Sequence, residues 1–406
     1  MSTDREFDVV VYGATSFVGQ IMCRYLVQRF GVGDDATLRW AIAGRDADKL
    51  ADVASSTGAD VPQLVADASD RAALDELCAS TAVVASTVGP YARYGSTLID
   101  AVVEHGIRYC DLTGEAQWMQ RMIDAYQERA EMTGAVIVHT CGFDSVPSDL
   151  GVMYLQNEAV ERYGEPASAV RMAVKGASGG FSGGTAASML NMLEEQATDP
   201  QVRAVLANPY ALAPVGERTG PAQPEVTWPQ YDDEFDSWLA AFVMAVINVR
   251  VVLRSHALLG KPWGHDFTYG EAMMTGRGPT GRAAATAMSA TMAGVMAAGR
   301  FGPVRGLFER LMPAPGEGPS ESTQQAGYFD VRFHGRIEST TTHHLGVTVT
   351  GDRDPGYGST AKMFVEAAAE LVDADVGGGF WTPSTALGRP YLERLVEHAG
   401  LTFAVN

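Results

Sequence analysis

Six short runs, most of them rich in Val, Ile and Ala, punctuate residues 7–139, and a stretch of helical character follows each of the first five. Strands separated by helices of that length join in parallel through right-handed crossovers. Runs with no polar alternation suit a sheet covered on both faces. The chain is therefore predicted to open as an α/β domain of Rossmann type, a doubly wound parallel sheet. Its strands fall at Phe7–Tyr12, Leu38–Ala43, Gln63–Ala66, Ala82–Thr87, Arg108–Asp111 and Ala135–His139. After Pro147 the pattern changes. Ala167–Lys175 alternates like an antiparallel strand, Asn208–Pro229 is a Pro-rich loop, and Tyr328–Gly335 and His343–Gly351 read as paired strands. With 406 residues the chain exceeds one ordinary domain, so a first domain at 1–147 and a second, mixed α/β domain from 148 share it.

In the stretch VVVYGATSFVGQ, residues 9–20, a strand runs into Gly13 and a helix opens before Gly19. Without a Cβ, Gly13 permits the tight turn, and Gly19 lets the first helix lie close to the sheet. Between them the helix N-terminus offers free N–H groups and a positive dipole end to a diphosphate. The spacing is the longer variant of the dinucleotide fingerprint, with Ser16 where a middle glycine usually stands. The predicted cradle is Gly13, Ala14, Thr15, Ser16, Phe17, Val18 and Gly19, with the Ser16 hydroxyl a candidate phosphate donor. An acid normally ends the second strand and binds a ribose 2′-hydroxyl. Here the strand runs into AGRDADKL, placing Arg45 near that position and Lys49 one turn on. A guanidinium suits a 2′-phosphate, which selects NADP(H) over NAD(H). By the same fold logic Asp67 meets the adenine edge, and Thr87, Val88, Gly89 and Pro90 lie beside the nicotinamide.

The net charge of −19 excludes a nucleic-acid partner, which would need a basic surface. Cys23, Cys78, Cys110 and Cys141 form no CxxC pair, and no metal-ligand motif occurs; His343 and His344 are neighbours on a strand and face opposite ways. MSTDREFD is no secretory signal, so a cytoplasmic address is expected. Trp238–Leu259 is apolar enough to span a bilayer, but Arg250 and Arg254 make it a buried segment or the wall of an apolar pocket. Ala284–Met312, small residues and methionines, reads as a core helix and loop or as an amphipathic surface element. Two GxSxG matches, GASGG at 176–180 and GFSGG at 180–184, lack the partner His and acid of a hydrolase elbow. No Tyr-xxx-Lys pair occurs.

Taken in order, YGATSFVG, AGRDADKL, TVGPYARYG, YCDLTGE, CGFDSVPSDLG, FSGGTAASML, DPGY and GGGFWTP with ERLVEHAGLTF resemble the saccharopine dehydrogenase-like oxidoreductases. The resemblance is strongest to the mycobacterial trans-acting enoyl reductase branch and covers nearly the whole chain; Ser16 is its departure. It implies an NADP-type Rossmann domain, an inserted second domain ending near residue 354, and a segment at 355–406 that packs back on the first. It also implies reduction of an enoyl double bond on a polyketide or fatty-acyl chain in lipid or glycolipid synthesis. The substrate would be an acyl chain, free or carrier-bound. Peripheral membrane contact through the second domain and a homo-oligomer are compatible with it.

Enoyl reduction needs a hydride for the β-carbon, a stabilised enolate oxygen and a proton for the α-carbon. Tyr91 is the first candidate donor and Tyr94 the second, both just past the nicotinamide loop. Asp144 could orient a tyrosine, or it could cap the helix leading from Pro147. Asp111, Thr113, Glu115, Cys141 and Ser145 follow the fifth and sixth strands on the same carboxyl edge. Two other readings stay open: a saccharopine- or imine-type reductase, and a non-catalytic NADP-binding redox sensor.

Overall fold

A computed structural model describes residues 5–179, 183–298 and 318–406. Its first sheet takes β1 (Phe7–Tyr12), β2 (Trp40–Gly44), β3 (Gln63–Val65), β4 (Thr81–Ser86), β5 (Arg108–Asp111) and β6 (Val136–Val138). A second sheet follows, built from β7 (Ala167–Ser178), β8 (Gln230–Asp232), β9 (Ser237–Ala240), β10 (Thr268–Gly276), β11 (Tyr328–Glu338) and β12 (Thr342–Gly351). The chain then returns. β13 (Gly379–Trp381) joins β6 as a seventh strand of the first sheet, and β14 (Leu401–Val405) closes the edge of the second.

The first sheet runs β13-β6-β5-β4-β1-β2-β3, every pairing parallel. β1 lies between β4 and β2, so the winding reverses there, and a crevice opens at the carboxyl ends of β1 and β4. Val9, Val10 and Val11 of β1 are fully enclosed, which explains the absence of alternation. The second sheet runs β14-β12-β11-β7-β10-β9-β8 and is mixed, since β7 pairs parallel with β10 and antiparallel with β11. One face of β11 is apolar: Phe329, Val331, Phe333 and Ile337 are buried. The helix α7 (Val146–Tyr163) packs on that face, where Gly151 leaves room for the Phe333 ring.

Helices in chain order begin with α1 (Phe17–Phe30), α2 (Ala47–Thr57), α3 (Arg71–Ser80), α4 (Tyr91–Tyr94) and α5 (Ser96–His105). They continue with α6 (Ala116–Thr133), α7 (Val146–Tyr163), α8 (Gly183–Thr198), α9 (Pro200–Ala207), α10 (Ala245–Leu258) and α11 (Gly278–Ala298). The last four are α12 (Glu321–Ala326), α13 (Thr360–Asp373), α14 (Pro383–Ala386) and α15 (Gly388–Arg394). Helix α13 packs against α1, β4 and β5. Its buried Glu366 accepts hydrogen bonds from Tyr25 Oη (2.8 Å), Arg29 Nε (3.3 Å) and Arg394 Nη2 (2.6 Å).

The apolar stretch at 238–259 splits into the end of β9, a turn and α10. Its two arginines are buried but not orphaned. Arg250 donates to the carbonyls of Val246, Val205 and Leu206, and Arg254 to those of Leu212 and Phe380. Burial lowers the Arg254 guanidinium to about 9 and Arg250 to about 10. Helix α10 packs against α7 and β10, with Val251, Val252 and Leu253 enclosed. It is therefore a core helix, not the wall of an open pocket; Val243 and Val246 near its start and Leu259 just past its end are exposed. Among the described residues no helix is long and apolar enough to cross a membrane. Residues 299–312 of the methionine-rich segment and Gly180–Ser182 of GFSGG lie outside the described residues.

Candidate active site

The loop after β1 and the loop after β4 meet so closely that only glycine fits at position 13. Gly13 has φ +93°, and a Cβ there would sit 2.6 Å from Thr87 Oγ1 and 2.8 Å from Val88 Cγ2. At Gly19 a Cβ would lie 2.4 Å from the Gly13 carbonyl, so the glycine pair sets how near α1 approaches the strand. Ser16 caps α1, its Oγ accepting the Gly19 N–H at 2.9 Å. Thr87 Oγ1 donates to the Gly13 carbonyl at 2.8 Å and lies 2.9 Å from Ser16 Oγ. Ser16 Oγ thus caps the helix and joins the two loops. The amides of Thr15, Phe17 and Val18 make no hydrogen bond among the described residues and are the donors that remain. Ala14 is buried in the turn, and Phe17 packs its ring edge-on against Tyr357 at 5.1 Å.

Arg45 stands exposed just past β2 and Lys49 is exposed on α2; neither forms an ion pair among the described residues. Asp46 caps α2 by accepting the Lys49 N–H at 3.1 Å. Asp67 accepts the Ser69 N–H (2.9 Å) and hydroxyl (2.6 Å), which hold its carboxyl below the usual range, with Arg45 adding to this. Burial, then Asp67, push the neighbouring Tyr12 hydroxyl up, so it stays protonated. This is an open, cationic corner at the ends of β1–β3. The fit to NADP(H) rests on these features: a cradle that a Cβ would fill, three unengaged amides and an unpaired guanidinium where a 2′-phosphate would lie.

At the other end of the crevice, Thr87, Val88 and Pro90 are half-buried and Gly89 is exposed. Helix α8 faces them: a Cβ at Gly89 would lie 3.4 Å from Ser188 Oγ. Arg93 Nε donates to Asn191 Oδ1 at 2.6 Å and Arg121 Nη2 to Glu195 Oε2 at 2.5 Å, tying α8 to α4 and α6.

Tyr91 points inward. It is 5% exposed, and its ring lies 5.5 Å from Trp118. Its hydroxyl donates to the Ser86 carbonyl (3.0 Å) and accepts the Leu112 N–H (3.2 Å). Burial, then Asp111, drive it far above the ordinary tyrosine range. Glu115 holds this turn, its carboxylate accepting the Tyr91 (2.8 Å) and Ala92 (3.0 Å) amides. Tyr94, one turn on, is 44% exposed.

Asp144, in the loop after β6, is half-buried, and its Oδ2 lies 4.0 Å from the Cβ position of Gly114 in the loop after β5. Its carboxylate has no hydrogen-bond partner among the described residues, and burial raises its pKa from 3.8 to about 6. It does not cap α7, whose first turn has no side-chain cap.

Beneath these loops Asp111 pairs with His139, a residue that the sequence did not single out. Asp111 is wholly buried and accepts from Tyr109 Oη (3.0 Å), the Thr113 and Thr140 amides (both 3.1 Å) and, at 2.7 Å, His139 Nδ1. The opposite nitrogen, His139 Nε2, is buried without a partner among the described residues. Asp111, Thr113 and Glu115 are therefore bracing groups under the carboxyl edge. The signal for His139 was only its place at the end of a β-strand run.

Residues 9–138 match the saccharopine dehydrogenase NADP binding domain family. With the cradle above, this defines the chain as an NADP-dependent oxidoreductase. A protein of Mycobacterium tuberculosis named as a trans-acting enoyl reductase is 39% identical, over 97% of this chain and 96% of its own length. A trans-acting enoyl reductase of Mycobacterium ulcerans is 35% identical, over 98% and 97%. The fold is similar to that of apo saccharopine dehydrogenase (L-Glu forming) of Saccharomyces cerevisiae, with a TM-score of 0.55 over 98% of this chain and 100% of that one, at 12% identity. The chain belongs to the trans-acting enoyl reductases of the saccharopine dehydrogenase-like family.

Proposed function

We propose that this protein reduces the α,β double bond of an acyl thioester, presented on a carrier, during lipid or glycolipid synthesis. NADPH, when bound, supplies the hydride for the β-carbon. The chain's own part is to hold that cofactor between Gly13–Gly19 and Arg45, and to deliver a proton to the α-carbon. Asp144 carries the second task in this reading. The supporting observation is a half-buried carboxyl with no hydrogen-bond partner among the described residues, raised by burial to about 6 on the carboxyl edge of the sheet. A carboxylic acid in that range is protonated in roughly one molecule in ten at pH 7 and can act as a general acid. Tyr94 is the alternative donor. The hydroxyl of Tyr91 already holds Ser86 and Leu112, which suits a bracing role.

A saccharopine-type substrate would need unpaired cations in the crevice. Arg93 and Arg121, which border it, already pair with Glu194 and Glu195. The test is NADPH oxidation with short- and long-chain enoyl thioesters, with the saturated product identified by mass spectrometry. Turnover that falls about 100-fold or more in Asp144→Asn, with NADPH affinity unchanged, supports the assignment. No oxidation with any enoyl thioester overturns the function. Full activity in Asp144→Asn moves the donor to Tyr94.

A further inference from the structure

The second sheet has a polar face opposite the one that α7 covers. On it, β11 presents His334 and β12 presents His344. Arg336 pairs directly with His344 and Gly346 with His334, so the two histidines are diagonal neighbours on one face. Their rings lie 5.1 Å apart. The turn between β8 and β9 adds Glu234. Asp232 builds that turn, its carboxylate accepting the Glu234 (3.0 Å) and Phe235 (3.1 Å) amides. One Glu234 oxygen then lies 2.9 Å from His334 Nε2 and the other 3.7 Å from His344 Nδ1. One ligand atom from each of the three residues lies within 4.8 Å of the others. Together with Ala169, Arg171 and Arg336 they line one pocket.

We propose that Glu234, His334 and His344 bind a divalent transition-metal ion, zinc by preference, with water in the fourth position. Two imidazoles and a carboxylate are borderline donors suited to zinc, and such a set of three leaves one position open to solvent. Bonds of about 2.0–2.2 Å place tetrahedral ligand atoms roughly 3.3–3.5 Å apart, so the cluster needs only a small closure of His344. The two arginines do not oppose the cation, because each has its own carboxylate: Arg171 pairs with Asp232, and Arg336 with Glu338 at 2.9 Å. Glu234 supplies the remaining negative charge. The ion would clamp the β8–β9 turn onto the β11–β12 hairpin, in a sheet separate from the nucleotide crevice. The sequence hides the site because its ligands stand at 234, 334 and 344. The adjacent pair His343–His344 is not part of it: His343 lies on the other face, stacked on Tyr163 at 4.5 Å.

The test is a titration of chelator-treated full-length protein with Co(II), followed by displacement with Zn(II). One equivalent of cobalt is expected to give the visible absorption of a four-coordinate ion, and zinc to bleach it. Glu234→Gln, His334→Gln and His344→Gln should each weaken binding roughly tenfold or more, and should abolish the rise in Tm that zinc gives the parent protein. His343→Gln should bind like the parent. Unchanged NADPH affinity and metal-free Tm in the variants show that they fold. Absence of a stoichiometric four-coordinate band, equal binding in the three ligand variants, or an equal loss in His343→Gln would each overturn the proposal.

Discussion

Glu271 offers the sharpest test of how burial sets energy in this protein. It is enclosed in β10 and accepts hydrogen bonds from Tyr269 Oη at 2.6 Å and Asn248 Nδ2 at 2.9 Å. Asn248 in turn accepts from Ser145 at 2.9 Å, so the chain of bonds reaches the loop that carries Asp144. Desolvation raises the Glu271 carboxyl from 4.5 to about 7, against the opposing effect of its hydrogen bonds. The native state then holds this proton more tightly than the unfolded chain does. Below about pH 4.5 both states are protonated and the site costs nothing. As pH rises towards 7 the unfolded chain releases its proton first, so stability falls across that window. Above it the cost is full, about 3 kcal/mol. Glu271→Gln keeps the shape and removes the charge: its amide oxygen can accept from Asn248, and its amide nitrogen can donate to Tyr269. The variant should match the parent at pH 5 and exceed it at pH 8. The gain corresponds to roughly 3–4 °C in Tm, given the unfolding entropy of a chain this long. Thermal scans at the two pH values are the assay. A Tm difference that does not change with pH, or a variant less stable at pH 8, would refute the reasoning.

Three further outcomes follow from the crevice. Arg45→Ala should weaken NADP(H) binding about 10- to 100-fold and leave NAD(H) nearly unchanged, measured by nicotinamide fluorescence; equal losses would show that Arg45 does not meet the 2′-phosphate. With Asp144 as proton donor, kcat/KM should fall about tenfold per pH unit above roughly 6, because the protonated carboxyl is the active form. A flat profile from pH 6 to 8 in the parent would contradict it. Tyr91→Phe should retain kcat within about threefold and lose about 1 kcal/mol of stability, seen as a slightly lower Tm; a 100-fold loss of turnover in a folded variant would return Tyr91 to the chemistry.

What the sequence revealed is what local pattern encodes. The buried β-branched runs of β1, β4 and β6 announce themselves because both faces are covered, and Gly13 and Gly19 stand where backbone must approach backbone. What it concealed depends on partners far along the chain. The inward turn of Tyr91 is set by Glu115, 24 positions away. Arg250 and Arg254 spoke against a membrane span, but nothing local showed that carbonyls from residues 205–212 and 380 satisfy them. Nothing local to Ser16 showed that Thr87, in the loop after β4, would lie 2.9 Å from its hydroxyl. Likewise β13, three residues long, carries too little pattern to declare that it extends the first sheet.

That return has a bearing on how the molecule is made. One sheet gains its outer strand at residues 379–381 and the other its outer strand at 401–405. During synthesis, both layers wait with a bare margin until the final stretch emerges, though the nucleotide half could begin to form early. A chain cut short near residue 375 would leave two unpaired margins open to association with other copies.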